Sequence, residues 1–497
     1  MPKQSIMLLI QSDLKYSDDL FNYTRGRFVC DEGYEISQRR VRFNVNELAR
    51  CAAETIGAKL CVNIKKYPDG MYNKSMLLTM DNGSQVVAKV PNPNAGIPHF
   101  TTANEVATMD FVRFISGVIA SRYLTDILQS RNVLGTPVPR VFAWSSKVQE
   151  NPVGAEYIIM EKIAEIELER VWPSMNIKDR LALFKTIAGF QKAWTSVSFK
   201  KFGGLYCAKD LEESASNEPL YVDANGIDIT DERFVIGLST GRESIDNGRA
   251  TIDFDRGPWM PQRNWHGDLH VANIFVNPSE PTEVVGLIDW QSTEISPLYF
   301  HARQPQILDY DSPPVSGLER PQLPKDVEKL EASAKQHAET LYLQQSLCSL
   351  YNTLTHRRNP RLYAALGFQQ TTSFLLLLLP RDLLIDGEVS YLLQVAELEA
   401  TWNSLPEAKG STYPFSFSPK EVEEIEAEVE GMFRGMEAMR LIGENMGELF
   451  PEQGIVTPDQ YEETLGALAQ MKEQVIEKFA STEEERKIWQ RVWPFGN

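Results

Sequence analysis

The sequence is poor in the residues from which metal centres and disulfide frameworks are built. It has five cysteines, scattered without a CxxC pair, and six histidines in 497 residues. An odd and dispersed set of cysteines indicates reduced thiols, as in intracellular proteins, and argues against a disulfide-stapled fold. The histidines are too few and too widely spread to predict a multi-histidine metal centre.

The sequence also lacks a long apolar run. Its longest, from Phe374 to Leu379, has six residues, whereas a helix needs about 20 to cross a bilayer. We therefore expect no membrane span, and we expect this run to lie in a buried core helix. The N-terminal stretch has one lysine and a short apolar patch before Asp13. That is a poor secretory signal and a weak transit peptide, so the sequence alone favours the cytoplasm.

Basic charge is scarce as well. The formal net charge of −18 and the pI near 5.0 argue against nonspecific binding to nucleic acid. More than half of the acidic excess lies in the segment from Pro414 onward, so the acidity says little about a substrate bound elsewhere. The composition is otherwise that of a soluble globular protein, with 42% hydrophobic and 24% charged residues.

The chain is too long for one compact core, so we expect two or three structural units. Strand-like patterns dominate up to about residue 160, and helical patterns dominate afterwards. This change predicts an α+β protein with a sheet-rich first lobe over residues 41–163 and a mainly helical second lobe over residues 164–410. Residues 1–40 are predicted to be an N-terminal extension, and residues 411–497 an acidic helical C-terminal segment.

Two helices are predicted in the first lobe. Apolar residues recur at helical spacing over Val45–Ile56, with Asn44 or Asn46 available as a cap. A second helix is predicted to begin after Thr102. Thr102 is followed three residues later by Glu105, which is the capping-box pattern of a helix start.

A hairpin precedes the second helix. Ser75–Met80 and Gln85–Val90 have strand character and flank a turn that ends at Gly83. The second of these strands carries Lys89 among apolar residues, and a lysine in that position is costly unless it is paired or binds an anion. Glu105 on the following helix is the predicted partner. Such a pair presents an ammonium group to nucleotide phosphates in kinases, although a snorkelling lysine on an edge strand is the alternative.

Two further segments of the first lobe are candidates for nucleotide binding. The loop that contains Gly70, Tyr72 and Asn73 has the place of a loop that folds over phosphates with its backbone N–H groups. It has a single glycine, so the pattern is not specific by itself. Glu161 and Ile163 follow the predicted strand Ala155–Met160, at the place where adenine would contact backbone groups in a two-lobed kinase.

The second lobe begins with a predicted helix over Met175–Trp194 and then carries a compact set of polar residues. Asp268 and Asn273 lie in a short loop of the motif HGDLHVANIFV, and Asp289 ends a strand that returns by a hairpin. Carboxylate and amide oxygens that face one point are suited to Mg²⁺. Asp268 at the start of the loop is placed to accept a proton from a substrate hydroxyl.

Two other interpretations of this set remain open. In the first, Asp268 and Asn273 only cap the loop in which they lie and have no role in catalysis. In the other interpretation, His266, Asp268 and His270 are alternating metal ligands, as in a zinc hydrolase. That arrangement needs a further cluster of ligands, and no second histidine-rich motif is present.

The motif HGDLHVANIFV, followed by GLIDW, resembles the aminoglycoside phosphotransferase and choline kinase-like family. The segments FNYTRGR from Phe21, TTANEVATM from Thr101, PVPRVFAWSS from Pro137 and VGAEYIIMEK from Val153 are similar to a fungal branch called after altered inheritance of mitochondria protein 9. Two departures stand out. The loop at Gly70 reads GMYNK rather than a glycine-richer sequence with phenylalanine, and the stretch from about Ile115 to Asn132 is longer than the family pattern.

The resemblance implies a two-lobed protein-kinase-like fold that uses ATP and magnesium. It implies Asp268 as the catalytic base, Asn273 and Asp289 as magnesium ligands, and Lys89 with Glu105 as the pair that orients the phosphates. We therefore expect a kinase that phosphorylates a hydroxyl of a small molecule. The alternative is a non-catalytic kinase-like protein that acts in mitochondrial maintenance through binding. The family name points to the mitochondrion.

Overall fold

The structure is a computed structural model that describes residues 17–123, 135–211, 218–242 and 262–496, apart from 311, 314, 316, 387, 406, 407 and 409. It has the predicted α+β architecture, with a sheet-rich N-lobe and a mainly helical C-lobe. The domain boundaries given above stay a prediction. Part of the long stretch that follows Ile115, residues 124–134, lies outside the described residues, as do residues 243–261.

The N-lobe is built around one antiparallel five-stranded sheet with the strand order β2-β3-β4-β6-β5. Alternate residues of β3 are buried, and β4 is buried along most of its length, as expected of a central strand packed on helices. The elements of the lobe are α1 (Ser17–Phe21), β1 (Arg27–Phe28), α2 (Glu32–Arg39), α3 (Val45–Thr55), β2 (Cys61–Lys66), β3 (Asn73–Met80), β4 (Gln85–Pro91), α4 (Phe100–Tyr123), β5 (Val141–Ser145) and β6 (Tyr157–Glu161).

The predictions for the N-lobe helices had different outcomes. Helix α3 is present, and its cap is Asn44, whose side chain accepts hydrogen bonds from the backbone of the first turn. The capping box at Thr102 is wrong, because α4 already begins at Phe100 and Thr102 lies inside it. Glu105 does not turn back to cap the helix. Its carboxylate is committed to Lys89 instead, at 2.7 Å.

The C-lobe begins after β6 with short strands and a long buried helix. This helix, Ile177–Thr195, packs against the later helix Ala332–Arg358 and against the strand Glu280–Leu287. The elements of this part are β7 (Ile166–Glu167), α5 (Leu168–Val171), α6 (Ile177–Thr195), β8 (Ser198–Phe199), β9 (Gly204–Cys207), β10 (Tyr221–Val222), β11 (Asp228–Ile229), β12 (Phe234–Gly237), β13 (Gln262–Asn264), β14 (Ile274–Asn277) and β15 (Glu280–Leu287).

The remaining chain is mostly helical, as predicted. Helix α12 packs along α11 of the C-lobe, and α13 packs on α12. The elements are β16 (Ile295–Pro297), α7 (Leu298–His301), α8 (Ala332–Arg358), α9 (Pro360–Phe368), α10 (Thr372–Asp386), α11 (Val389–Thr401), α12 (Pro419–Met446), β17 (Ile455–Val456), α13 (Tyr461–Phe479) and α14 (Glu483–Arg491).

The expectation that Phe374–Leu379 is a buried core segment is wrong in part. These residues lie in α10, where Phe374 is buried against Tyr299 and Phe368. Leu375 and Leu377, in contrast, are 37% and 45% exposed. In the described part of the chain no single helix is long and apolar enough to cross a membrane, although α9 and the first part of α10 pass that test as a pair bent by 74°.

The C-terminal segment returns to the N-lobe. Strand β1 pairs antiparallel with β17, with Arg27 opposite Val456 and Phe28 opposite Ile455. Val29 then enters an apolar cluster formed mainly by α12 and α13. The C-terminal helices therefore contact the C-lobe through α11 and the N-terminal part of the chain through β1 and Val29.

Candidate active site

The loop that carries Asp268 is held in shape by its own polar groups. The Asn273 side chain donates from Nδ2 to the backbone oxygen of Asp268 at 2.9 Å and to its Oδ2 at 3.1 Å. A short 3₁₀ turn, Val271–Asn273, connects the loop to β14. Asn273 is buried, whereas the Asp268 side chain is 52% exposed. The loop thus fixes the orientation of the Asp268 carboxylate and leaves it accessible from the cleft.

His266 supports this loop from the interior. It is 2% exposed and packs against Trp194 and Trp290. Its Nε2 donates to the backbone oxygen of Ile288 at 2.9 Å, and its Nδ1 accepts from the backbone N–H of Asp268 at 3.2 Å. Both ring nitrogens are therefore used in hydrogen bonds, and one imidazole ties the Asp268 loop to the end of β15.

The zinc-hydrolase interpretation does not fit this arrangement. His266 has no nitrogen left to bind a metal, because its two hydrogen bonds go to the backbone. No cluster of three or more His, Cys, Asp or Glu side chains suited to a metal ion occurs among the residues that the structure describes. The remaining candidates are oxygen ligands, which suit a hard cation.

His270 contacts the candidate base directly. Its Nε2 lies 3.4 Å from Asp268 Oδ2, and its Nδ1 accepts from the backbone N–H of Ala272 at 3.2 Å. The hydrogen bond from His270 lowers the pKa of Asp268 below its usual range, and the same contact raises the pKa of His270. Asp268 is therefore ionised throughout the neutral range.

The hairpin β14–β15 brings Asp289 back to the Asp268 loop, as predicted. Ile274 pairs with Leu287, and the backbone N–H of Ile288 donates to the oxygen of Asn273 at 3.0 Å. Asp289 itself has a φ of +62°, in the left-handed region that side chains other than glycine enter at a cost. Strain of this kind is concentrated at functional sites, and here it directs a 38% exposed carboxylate into the cleft.

The predicted ion pair of Lys89 with Glu105 is present, and Asp289 joins it. Lys89 Nζ lies 2.7 Å from Glu105 Oε1 and 2.9 Å from Asp289 Oδ1. Lys89 and Glu105 are both buried. Burial alone would lower the pKa of the Lys89 ammonium, but the carboxylates of Asp289 and Glu105 raise it above its usual range. One buried ammonium group therefore connects the sheet and helix α4 to Asp289, which follows the hairpin β14–β15.

Helix α4 is fixed to the C-lobe next to this ion pair. Asn104, which is fully buried, donates from Nδ2 to the Leu205 oxygen at 3.2 Å. Its Oδ1 accepts from Thr240 Oγ1 at 2.9 Å. Because Asn104 precedes Glu105, these hydrogen bonds hold the start of α4 in the orientation in which Glu105 reaches Lys89.

The β2–β3 loop, residues 67–72, reaches across the cleft. The backbone N–H of Gly70 donates to the Asn73 oxygen at 3.0 Å, which closes the loop at the start of β3. Asn73 Nδ2 donates to Gln291 Oε1 at 2.6 Å, and Gln291 Nε2 donates to the Ala95 oxygen at 2.8 Å. The Tyr72 ring lies under the Arg242 guanidinium group, 4.3 Å from its centroid. The start of β3, next to the loop, is thus joined to Gln291, two residues after Asp289.

Glu161 and Ile163 lie where the two lobes join. The Glu161 backbone N–H donates to the Arg140 oxygen at 2.8 Å, and the Glu161 carboxylate accepts from the Arg140 N–H at 3.0 Å. Ile163 packs directly on Gly286 of β15, where a Cβ atom would lie 2.1 Å from Ile163 Cδ1. Because Gly286 has no side chain, the segment that contains Ile163 can approach the hairpin β14–β15 this closely.

Gln291 was not among the residues predicted from the sequence. It follows Asp289-Trp290 directly, so its position in the motif is a signal that could have identified it. Its amide connects the β2–β3 loop to the segment after β4, and local sequence spacing does not reveal these partners because they lie about 200 residues upstream.

Replacing His266 by phenylalanine is expected to destabilise the protein and to change its response to pH. Two partly buried backbone groups lose their partner, each at a cost of about 1 kcal/mol. Burial also lowers the pKa of His266, so below pH ~6.5 the unfolded chain takes up a proton that the folded one does not. Stability contributed by neutral His266 is therefore present above that pH and lost as the pH falls.

Urea unfolding at pH 7.5 and pH 5.5 measures both effects. The wild type is expected to lose more stability than the His266→Phe variant between the two values, by at most about 1.4 kcal/mol per pH unit below pH ~6.5. Equal pH dependence in the two proteins would contradict the assignment of His266 as a buried neutral group.

The chain is similar in part to known proteins. Residues 63–300 match the model of the phosphotransferase enzyme family. A subtelomeric hrmA-associated cluster protein of Aspergillus fumigatus is 24% identical over 88% of this chain and 97% of its own length. The altered inheritance of mitochondria protein 9 of Candida tropicalis, named as mitochondrial, is 30% identical over 40% of this chain and 30% of its own.

Among solved structures, a putative fructosamine-3-kinase from Thermobifida fusca aligns with 13% identity and a TM-score of 0.31, over 71% of this chain and 97% of its own. The aminoglycoside phosphotransferase APH(4)-Ia aligns with 13% identity and a TM-score of 0.26, over 65% of this chain and 96% of its own.

Proposed function

We propose that the protein transfers a phosphoryl group from ATP, with Mg²⁺, to a hydroxyl of a small molecule. The observation that carries the proposal is the buried Lys89 ammonium, which contacts Glu105 and Asp289 at once. A lysine placed in this way is suited to binding nucleotide phosphates. The family domain supports phosphotransfer as the class of reaction.

The residues around Asp289 fit a magnesium ion. Asp289 has one oxygen on Lys89, and its carboxylate is partly exposed toward the cleft. Asn273 uses its amide nitrogen for Asp268, which leaves its oxygen as the atom for a cation. Oxygen ligands of these two kinds suit Mg²⁺. The bound ion would neutralise charge on the nucleotide phosphates.

Asp268 is proposed as the base that orients the attacking hydroxyl. Its carboxylate is accessible and is held by Asn273, and the hydrogen bond from His270 lowers its pKa, which favours the ionised form. An ionised carboxylate at hydrogen-bonding distance from an alcohol aligns the hydroxyl oxygen and accepts its proton. The acceptor would enter from the side of the C-lobe, because Asp268 lies in that lobe.

The nucleotide is proposed to bind between the β2–β3 loop and the junction of the lobes. Gly70, Tyr72 and Asn73 would cover the phosphates, and Lys89 with Glu105 would orient them. The segment from Glu161 to Ile163 would hold adenine. Since the Glu161 N–H is already bonded to Arg140, it is not available to adenine, and the contacts would come from the rest of this segment.

The alternative is a kinase-like protein that acts through binding in mitochondrial maintenance. The partial relatives named as mitochondrial support a mitochondrial location, and they are compatible with either function. The intact set of Lys89, Glu105, Asp268, Asn273 and Asp289 favours the enzyme, because a protein that only binds has no need of Asp268.

Thermal unfolding with and without Mg-ATP tests the proposal. We expect Mg-ATP to stabilise the protein by about 2.7 kcal/mol at a concentration 100 times its Kd, and we expect less stabilisation by ATP with EDTA. Incubation with metabolite fractions and assay of ADP would then identify the acceptor. Stabilisation without turnover on any hydroxyl compound would favour the binding alternative, and absence of stabilisation would refute nucleotide binding.

A further inference from the structure

The segment Phe21–Phe28, here called the N-terminal strap, lies directly against the β2–β3 loop. Thr24 donates from its backbone N–H and its Oγ1 to Asp69 Oδ2, at 2.9 Å and 3.1 Å. The Asp69 backbone N–H donates back to Thr24 Oγ1 at 3.2 Å. This reciprocal set joins the strap to the residue that precedes Gly70, so the loop is attached to the strap at its turning point.

Asp69 is the centre of a buried charge cluster. Its side chain is 1% exposed, and it lies 2.7 Å from Lys66 Nζ and 3.3 Å from Lys74 Nζ. The Lys74 side chain is itself only 2% exposed. Both ammonium groups also donate to the backbone oxygen of Asn22 in the strap. Buried charges are retained only when they are paired and hydrogen-bonded, so the strap contributes the groups that this cluster requires.

The strap also contacts the loop through an aromatic residue. The Tyr23 hydroxyl lies 3.7 Å from Met71 Sδ. The Tyr23 ring stacks on Phe28 with centroids 5.6 Å apart, and the Arg39 guanidinium group lies 4.5 Å from the Phe28 ring centroid. Tyr23 is therefore held by Phe28 through its ring and contacts Met71 of the loop through its hydroxyl.

The other end of the strap is anchored in the C-terminal segment. Gly26 lies so close to β17 that a Cβ atom there would be 2.5 Å from the Val456 oxygen and 2.6 Å from Ile455 Cγ2. Arg27 stacks over the Tyr461 ring at 3.4 Å, and Val29 is part of the C-terminal apolar cluster. The loop, the strap and the C-terminal helices thus form one continuous set of contacts.

We propose that the strap, anchored by the C-terminal segment, holds the β2–β3 loop in the shape in which it covers the nucleotide phosphates, with Thr24 and Asp69 as positioning residues. The proposal rests on the proposed function for the role of the loop. The ordering of the loop by the strap is independent of the proposed function, because it is a property of the protein without nucleotide. The strap connects the C-terminal segment to nucleotide affinity without touching the nucleotide.

Thr24 is the residue to change, because replacing Asp69 would leave two buried lysines without a counter-charge. In the full chain, Thr24→Val removes the hydroxyl and keeps the shape and the backbone hydrogen bond, while Thr24→Ser keeps the hydroxyl. The matched control is Thr55→Val, which removes a hydroxyl hydrogen bond to the Cys51 oxygen on the exposed face of helix α3 in the same lobe.

Two measurements apply to each variant. Amide hydrogen exchange over residues 67–74 without nucleotide reports the ordering of the loop. The KM for ATP and the kcat report how the loop contributes to nucleotide binding and to transfer. Thr24→Val is expected to speed exchange of the loop and to raise the KM for ATP about tenfold, which corresponds to ~1.4 kcal/mol, with little change in kcat. Thr24→Ser and Thr55→Val are expected to behave as the wild type.

Gly26→Ala tests the anchor from the far end. The added methyl group must displace β17, so loop exchange is expected to rise although Gly26 does not contact the loop. Unchanged loop exchange in Gly26→Ala overturns the anchoring role of the C-terminal segment. A lowered melting temperature in Thr24→Val with wild-type loop exchange and KM overturns the positioning role. If the wild type binds no Mg-ATP, the proposed function fails, and loop exchange alone still decides whether the strap orders the loop.

Discussion

Asp268→Asn is expected to bind Mg-ATP as tightly as the wild type and to transfer phosphate roughly 100- to 10,000-fold more slowly, which is the usual contribution of a positioned general base. The asparagine oxygen can still accept from Asn273 Nδ2, so the hydrogen bonds that shape the loop are kept. What is lost is the negative charge. A neutral amide aligns a hydroxyl weakly and takes no proton from it.

Direct binding of nucleotide and single-turnover transfer, measured on the same preparation, separate the two steps. Asp228→Asn is a suitable control, because Asp228 is a solvent-exposed carboxylate paired with Lys200 at 2.8 Å and lies outside the loop. Wild-type transfer by Asp268→Asn would exclude Asp268 as the base. Loss of nucleotide binding together with transfer would show that the variant disturbs the site as a whole.

The part of the site that could be predicted from the sequence is the part set by local pattern. The hairpin that returns Asp289 to Asn273 follows from two apolar runs and an intervening turn. The pair of Lys89 with Glu105 follows from the cost of an unpaired lysine in a buried strand. In both cases a short stretch of chain, with strand and helix periodicity, already limits where the side chains lie.

The same reasoning failed where one residue has two possible partners. Thr102 and Glu105 have the spacing of a capping box, but α4 begins two residues before Thr102. In the structure Glu105 pairs with the buried Lys89 ammonium group, as buried charges require. The spacing of Thr102 and Glu105 alone does not show which of the two partners Glu105 takes, so it misplaced the helix start.

Contacts between distant segments were also outside the reach of the sequence. Lys89 meets Asp289 from 200 residues away, and β1 pairs with β17 across most of the chain. Strand β1 has only two residues, too few to show the alternation that identifies a strand. The strap was visible in the sequence as the segment FNYTRGR, but its partner Asp69 was not, because nothing in either segment specifies the other.

Asp289→Asn is expected to abolish the stabilisation by Mg-ATP and, with it, phosphoryl transfer. Asparagine is chosen because it tolerates the left-handed backbone that Asp289 adopts, at a φ of +62°. The variant therefore removes the charge and keeps the turn. The proposed site would then have two neutral amides and no carboxylate, whereas Mg²⁺ is usually bound through at least one carboxylate. The nucleotide phosphates would then meet Lys89 without the proposed metal.

Each variant must be compared with itself, with and without Mg-ATP, because loss of the contact of Asp289 with Lys89 changes stability even in the absence of ligand. Lys89 keeps Glu105 as a partner at 2.7 Å, so the ammonium group stays paired and the N-lobe should remain folded. The control Asp326→Asn removes an exposed carboxylate that pairs with Lys329 and should retain the full ligand effect, about 2.7 kcal/mol at 100 times Kd. If Asp289→Asn retained it as well, Asp289 would not hold the metal, and its strained backbone would serve only to place a counter-charge beside Lys89.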